Sequence, residues 1–217
     1  MISRLHYITQ DVAGRSHAQL AALACAGGVD WVQLRLKQAS AADWKQEAQD
    51  TLAVCRHYGA RLIINDNVAL AREISADGVH LGKTDMPPAQ ARQLLGPGKI
   101  IGGTANTLAD IAALAAAGVD YIGLGPFRFT PTKENLSPVL GLSGYRNLLY
   151  QCREQNINLP IIAIGGLSPG DAGPLMQAGV YGLAVSAAIN KSADPTAAAR
   201  ELLTLLHRAP ALSSLNN

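Results

Sequence analysis

Ala117-Gly118-Val119-Asp120-Tyr121-Ile122-Gly123-Leu124-Gly125-Pro126 is the stretch that decides the fold. An Ala/Leu-rich helical pattern over 108–117 runs into Gly118, which suits the left-handed position just past a helix end. A short apolar run over 121–124 follows, and Gly125-Pro126 stops it. The unit is therefore helix, glycine corner, strand. The same corner recurs as Ala26-Gly27-Gly28-Val29-Asp30 and Ala178-Gly179-Val180-Tyr181. Working outward predicts strands over 5–9, 31–35, 61–65, 78–81, 100–103, 121–124, 161–164 and 182–185, with helices such as 16–26, 41–58, 108–117 and 169–178 between them. Alternating short strands and helices are the signature of a parallel sheet. Eight such units predict an α/β fold, a single (β/α)8 or TIM barrel with its active site at the carboxyl ends of the strands. An open doubly wound sheet fits less well, because no Gly-x-Gly-x-x-Gly follows the first strand and the strand count suits closure. The barrel domain is expected to span 1–208. The Ser/Asn-rich remainder, 209–217, loses periodicity and reads as a flexible tail.

Composition narrows the functional classes. With 217 residues and 48% hydrophobic content the chain can bury a full core as one domain. A formal charge of +2, with no stripe of Lys and Arg, implies neither a nucleic acid nor a membrane partner, and leaves small anions open. The three cysteines, Cys25, Cys55 and Cys152, lack Cys-x-x-Cys spacing, which suits reduced, buried thiols. Met1-Ile2-Ser3-Arg4-Leu5 enters a strand-like run directly, and no stretch reaches transmembrane length, so the expectation is a soluble, cytoplasmic protein. An oligomeric state is not readable from the sequence.

The stop at Gly125-Pro126 opens a long connection, Gly125-Pro126-Phe127-Arg128-Phe129-Thr130-Pro131-Thr132-Lys133, with no helical pattern before Gly141. Connections of that length are functional or disordered. Both Phe residues of the protein lie here, beside two hydroxyls and an amine, which favours an ordered substrate loop over an incidental surface one.

In a barrel, residues at the strand ends converge on one mouth, so polar residues there carry a functional prior. Alternation in Gln33-Leu34-Arg35-Leu36-Lys37 points Gln33, Arg35 and Lys37 to one side. Two inward cations suit a diphosphate, to which Arg offers a planar fork and Lys a point charge. The competing reading, a solvated edge-strand face, conflicts with a closed barrel. Asp66 and Asp85 fall beyond neighbouring strands and fit Mg²⁺, which takes one or two carboxylates plus phosphate oxygens and water. Each also has a bland reading: Asn65-Asp66-Asn67 forms turns, and Thr84-Asp85 could open a helix. Gly166 and Ser186, after the seventh and eighth strands, suit a phosphomonoester held by backbone N–H groups, although Gly165-Gly166 alone is also a tight turn. Gly102-Gly103-Thr104-Ala105-Asn106 is a weaker polar cluster, in which Thr104 could be a helix cap. His80, inside the fourth strand, reads as a packed, hydrogen-bonded histidine rather than a base.

These residues together, Gln33-Leu34-Arg35-Leu36-Lys37, Asn65-Asp66, Gly78-Val79-His80-Leu81-Gly82 with Asp85, Thr130-Pro131-Thr132-Lys133 and Ala163-Ile164-Gly165-Gly166-Leu167, resemble the thiamine phosphate synthase family in order and over nearly the whole chain. The resemblance implies a transferase that joins hydroxymethylpyrimidine diphosphate to thiazole phosphate, releasing diphosphate. It implies Gln33, Leu34, Arg35, Leu36, Lys37, Asn65, Thr104 and Lys133 around the pyrimidine diphosphate, and Asp66 and Asp85 on Mg²⁺. It places Thr130, Pro131, Thr132, Gly166, Val185 and Ser186 around the thiazole phosphate. Arg35, Lys37, Lys133 and Thr104 are the groups expected at the reacting centre. Three positions depart from the family pattern: Lys83 stands where Gln is usual, Thr104 where Ser is common and Asn106 where His is common. A thiazole tautomerase or a non-catalytic phosphate-ligand regulator on the same barrel would lack, respectively, the full Thr-x-Thr-Lys loop and the need for two metal carboxylates.

Overall fold

A computed structural model describes residues 2–36, 40–129 and 138–208. Among the described residues, eight parallel strands close into a barrel in sequence order: β1 (Leu5–Ile8), β2 (Trp31–Leu34), β3 (Arg61–Asn65), β4 (Gly78–Leu81), β5 (Ile100–Ala105), β6 (Tyr121–Leu124), β7 (Ile161–Ile164) and β8 (Gly182–Val185). Closure comes from β8 pairing with β1 in the register Leu5↔Leu183 and Tyr7↔Val185. The helices that cross back between strands are α1 (His17–Ala26), α2 (Ala41–Tyr58), α3 (Val68–Glu73), α4 (Pro88–Leu95), α5 (Leu108–Ala116), α6 (Gly141–Glu154) and α7 (Ala172–Ala178); short α8 (Ala187–Asn190) and long α9 (Pro195–Arg208) complete the ring.

Strand alternation sorts side chains into two layers. Val32 and Leu34, Leu62 and Ile64, Val79 and Leu81, and Ile122 and Leu124 face outward into the main strand–helix core. Trp31, Ile63, Tyr121, Ile162 and Ala184 fill the barrel interior. His6 joins this inner layer, stacked on Trp31 at 3.7 Å and edge-on to Tyr121 at 5.6 Å. The corners on the amino-terminal side are structural. The Asp120 carboxylate accepts from the Ile101 amide and from Arg92, each at 2.7 Å, which pins β5 to β6 far from the mouth.

Some element ends differ from the sequence expectation. β2 stops at Leu34, because the Arg35 amide donates to the Thr9 hydroxyl instead of continuing the ladder. β5 runs on to Ala105, since Thr104 and Ala105 still pair with Gly123 and Leu124, so Thr107 and not Thr104 caps α5. The expected helix over 169–178 begins as a 3-10 turn at Pro169–Asp171. At the first corner Gly28, with φ +102, takes the left-handed position, while Gly27 stays right-handed. No helix among the described residues is long and apolar enough to cross a membrane.

Candidate active site

Lys37, Thr130, Pro131, Thr132 and Lys133 lie outside the described residues. The other sequence-predicted positions lie at or just past carboxyl ends of strands, on one side of the barrel. Their side chains divide unequally. Gln33 is buried inside the barrel, where it acts on the Tyr121 phenol. Leu34 and Val185 are buried in the outer strand–helix layer, and Leu36 packs against it, so these three can offer a ligand little more than main chain.

A hydrogen-bonded chain crosses the interior beneath the mouth. It runs from the Tyr121 hydroxyl, 2.9 Å from His80 Nδ1, to Thr104, whose Oγ1 lies 2.9 Å from His80 Nε2. Complete burial holds the Tyr121 phenol protonated, with its pKa well above the ordinary value. His80 is thus a packed, bonded histidine that orients the Thr104 hydroxyl.

Asp66 and Asp85 meet beyond β3 and β4. Asp66 has φ 63, a left-handed conformation uncommon outside glycine, and its amide donates to the His80 carbonyl at 2.8 Å. Asp85 does not open a helix; its Oδ2 accepts from the Gly82 amide at 2.6 Å, and α4 starts only at Pro88. The surrounding protein, together with the Asp85 carboxyl hydrogen-bonded to it, pushes Asp66 up to about 7, while Arg35 and Asn65 pull it down. Arg35 therefore stands within electrostatic reach of the carboxylate pair. Two carboxyls this close resist ionising together and favour a cation between them, and that is the donor chemistry of a site for a hard divalent ion. Among the described residues no group of three or more His, Cys, Asp or Glu side chains could hold a metal. An ion here would complete its shell with substrate oxygens and water.

Lys83 turns away from these carboxylates: its ammonium bonds Asp110 at 2.6 Å. The same Asp110 carboxylate accepts from the Asn106 and Thr107 amides, each at 2.9 Å, and against the opposing effect of burial Lys83 and these amides hold its pKa at about 2. The Asn106 side chain in turn donates to the carbonyls of Gly125 at 2.8 Å and Pro138 at 3.0 Å. Two of the three departures from the family pattern thus belong to one bonded unit that seats both ends of the long connection after β6.

On the other side of the mouth, Gly165 and Gly166 take φ values of 97 and 70. A Cβ on Gly165 would lie 2.7 Å from Pro126 Cβ, so the turn needs glycine there for close approach. Ser186 Oγ lies 3.0 Å from Gln10 Oε1 and accepts from Asn190 Nδ2 at 3.1 Å, and Asn190 is bonded in turn by Tyr7. Sequence reasoning missed Arg128, which pairs with Asp171 across the β6 and β7 loops. The available signal was a lone cation set between two Phe residues.

A closed parallel barrel with paired carboxylates and an arginine at one side of its mouth, and a glycine turn beside a bonded hydroxyl at the other, defines a (β/α)8 enzyme suited to phosphorylated small molecules. The sequence model described as thiamine monophosphate synthase matches residues 5–189. The thiamine-phosphate synthase of Phocaeicola vulgatus is 47% identical over 201 residues, covering 93% of this chain and 97% of that protein. That of Bacteroides fragilis is 46% identical, covering 93% and 98%. Among solved structures, a thiamine phosphate pyrophosphorylase from Pyrococcus furiosus aligns with TM-score 0.82 at 29% identity, covering 94% of this chain and 95% of that one. The chain belongs to the thiamine monophosphate synthase family, and it is an enzyme of the transferase class.

Proposed function

We propose that the barrel joins a pyrimidinylmethyl diphosphate to a thiazole phosphate, giving thiamine phosphate and diphosphate. The observation that carries this reading in detail is the division of the mouth into two unlike anion sites: Arg35 beside Asp66 and Asp85, and the Gly165-Gly166 turn with Ser186. Two phosphorylated substrates need two such sites.

In the reaction the bond between the pyrimidine methylene carbon and the diphosphate oxygen breaks, and both electrons leave with the oxygen. The aminopyrimidine carries the resulting positive charge until the thiazole nitrogen donates its lone pair and the new carbon–nitrogen bond closes. Arg35 would meet the charge developing on the departing diphosphate with a two-pronged donor, and Lys37 and Lys133 would add point charges. Asp66 and Asp85 would hold Mg²⁺, which when bound supplies positive charge to the diphosphate oxygens. Gln33, and Thr104 held through His80 to Tyr121, would orient the pyrimidine ring with Asn65 beside it. Thr130, Pro131 and Thr132, with the main chain at Gly166 and Val185 and the Ser186 hydroxyl, would hold the thiazole phosphate. In this reading residues 1–208 form the catalytic domain of a cytoplasmic enzyme.

The test is purified protein with both substrates and Mg²⁺, following diphosphate and thiamine phosphate together. One diphosphate per thiamine phosphate, with neither formed when a substrate is omitted, is the expected result. Thiazole phosphate bound without turnover would point instead to a phosphate-ligand regulator, and interconversion of thiazole forms without diphosphate release to a tautomerase.

A further inference from the structure

Arg128 is the described side chain that ties the loop after β6 to the turn after β7. Its Nη1 and Nη2 donate to Asp171 Oδ2 and Oδ1 at 2.5 and 2.6 Å, and Nη1 also donates to the Gly166 carbonyl at 3.1 Å. Asp171 is nearly buried, with its side chain 10% exposed, and its Oδ2 accepts further from the Ser168 amide at 2.8 Å and hydroxyl at 2.7 Å. The guanidinium carbon lies 4.7 Å from the centre of the Phe127 ring, so one face of the fork is covered as well.

The main chain repeats the connection. The Phe127 amide donates to the Ile164 carbonyl and the Arg128 amide to the Gly165 carbonyl, both at 2.9 Å. Three successive carbonyls, of Ile164, Gly165 and Gly166, are therefore all taken by residues 127–128. In a trans peptide the C=O and the following N–H point in opposite directions. The amides of Gly165, Gly166 and Leu167 consequently turn away from the loop together, and successive N–H groups on one side of a turn form an anion-binding concavity.

We propose that Arg128 and Asp171 are a positioning pair: the fork fixes the third of these carbonyls, aims the amide that follows it, and locks the phosphate turn to the loop that leads into Thr130–Lys133. This rests on the assignment of thiazole phosphate to the Gly166 turn. Three of the five guanidinium N–H groups of Arg128 go to Asp171 and the Gly166 carbonyl, so its assigned part is to hold the turn and not to bind the phosphate itself. The pair acts through the geometry of Gly166, so its loss is felt by one substrate and not the other.

The experiment compares Arg128→Ala, Arg128→Lys, Asp171→Asn and the double variant Arg128→Ala/Asp171→Asn by steady-state kinetics, calorimetric binding of thiazole phosphate and of inorganic phosphate, and melting temperature. Arg128→Ala is expected to weaken thiazole phosphate binding about tenfold, roughly 1.4 kcal/mol, with the KM for pyrimidine diphosphate within about twofold. Asp171→Asn should match it, and the double variant should be no worse than either single one, as expected for residues acting as a unit. Arg128→Lys should recover only part of the loss, because a point charge cannot span both carboxylate oxygens. Equal weakening of both substrates, additive single effects, or a lowered melting temperature with unchanged thiazole phosphate binding would each overturn the proposal. Should Arg128→Ala fail to fold, Arg128→Lys and Asp171→Asn keep side-chain bulk and give the same readout. Absence of thiamine phosphate formation by the unaltered protein would refute the proposed reaction, while phosphate calorimetry on the variants would still decide the role of the pair.

Discussion

Asp66 concentrates unfavourable choices in one residue. It combines a left-handed backbone, which costs about 1–3 kcal/mol away from glycine, with a carboxyl pushed up to about 7 by its surroundings and Asp85. A group whose folded pKa lies above its unfolded value makes folding take up a proton between the two, so the Asp66 contribution to stability falls as pH rises from about 4 to 7. Its exposure to solvent screens that effect, and the sharper consequence is for metal. An ion held by Asp66 must displace the proton, so the Mg²⁺ concentration for half-maximal activity should fall severalfold between pH 6 and 8. Asp66→Asn should need more Mg²⁺ at every pH and lose this part of the pH dependence, with little change in melting temperature. The titration of the substrate diphosphate is common to both proteins and cancels in their comparison; identical Mg²⁺ profiles would remove the metal assignment. The two anion sites should also respond in opposite ways to substitution. Arg35→Ala removes a fork and should raise the KM for pyrimidine diphosphate about fivefold or more, whereas Gly166→Val places a side chain at a φ of 70 and should raise that for thiazole phosphate. An exchange of these effects, measured by titrating each substrate, would refute the map.

The elements were largely legible, because each strand and corner announces itself within a few residues. Four-residue runs such as Gly78–Leu81 and Tyr121–Leu124 fall where the apolar pattern puts them. The displaced ends of β2 and β5 were not legible, since they depend on a Thr9 hydroxyl 26 residues away and on a ladder to β6. The site divides the same way. Polar residues at strand ends are a local pattern, whereas the Arg128–Asp171 partnership spans 43 residues and neither residue announces the other. Asn106 shows what such links do at the scale of an element. It occupies a position where the family commonly has His, yet its amide holds the Gly125 and Pro138 carbonyls, which flank the connection after β6. Asn106→Ala should strand these two carbonyls and cost about 1–3 kcal/mol, visible as a lower urea midpoint with unchanged slope, together with reduced kcat. Asn106→His, which restores one donor, should recover part of both. If Asn106→Ala altered stability while leaving kcat intact, the connection would not depend on this seat for catalysis.

At the scale of the whole molecule, the barrel holds an outer apolar layer and an inner column that is unusually polar and aromatic. His6, Trp31 and Tyr121 stack in that column below the Tyr121–His80–Thr104 chain, so the floor of the active site and the stability of the barrel share side chains. The column has a defect: His6 Nε2 and Trp31 Nε1 are buried with no hydrogen-bond partner among the described residues. Such a site tolerates a neutral ring and resists a charged one. Burial, with the nearby His80, holds the His6 pKa well below 6.5. The sign follows from proton counting. Below about pH 6.5 the unfolded chain binds a proton at this histidine and the folded barrel does not, so the His6 contribution to stability is complete above that pH and declines as the solution is acidified. His6→Phe keeps a flat ring against Trp31 and removes the titration, along with one unpartnered nitrogen. Unfolding in urea from pH 7.5 to 5 should therefore show the variant gaining on the natural protein as pH falls, while the difference between them stays constant above about pH 7. The comparison isolates His6, because Asp66 and the other titrating groups are common to both chains. A stability difference that did not change with pH, or one that moved against the variant on acidification, would mean that the folded barrel accepts a proton on this column.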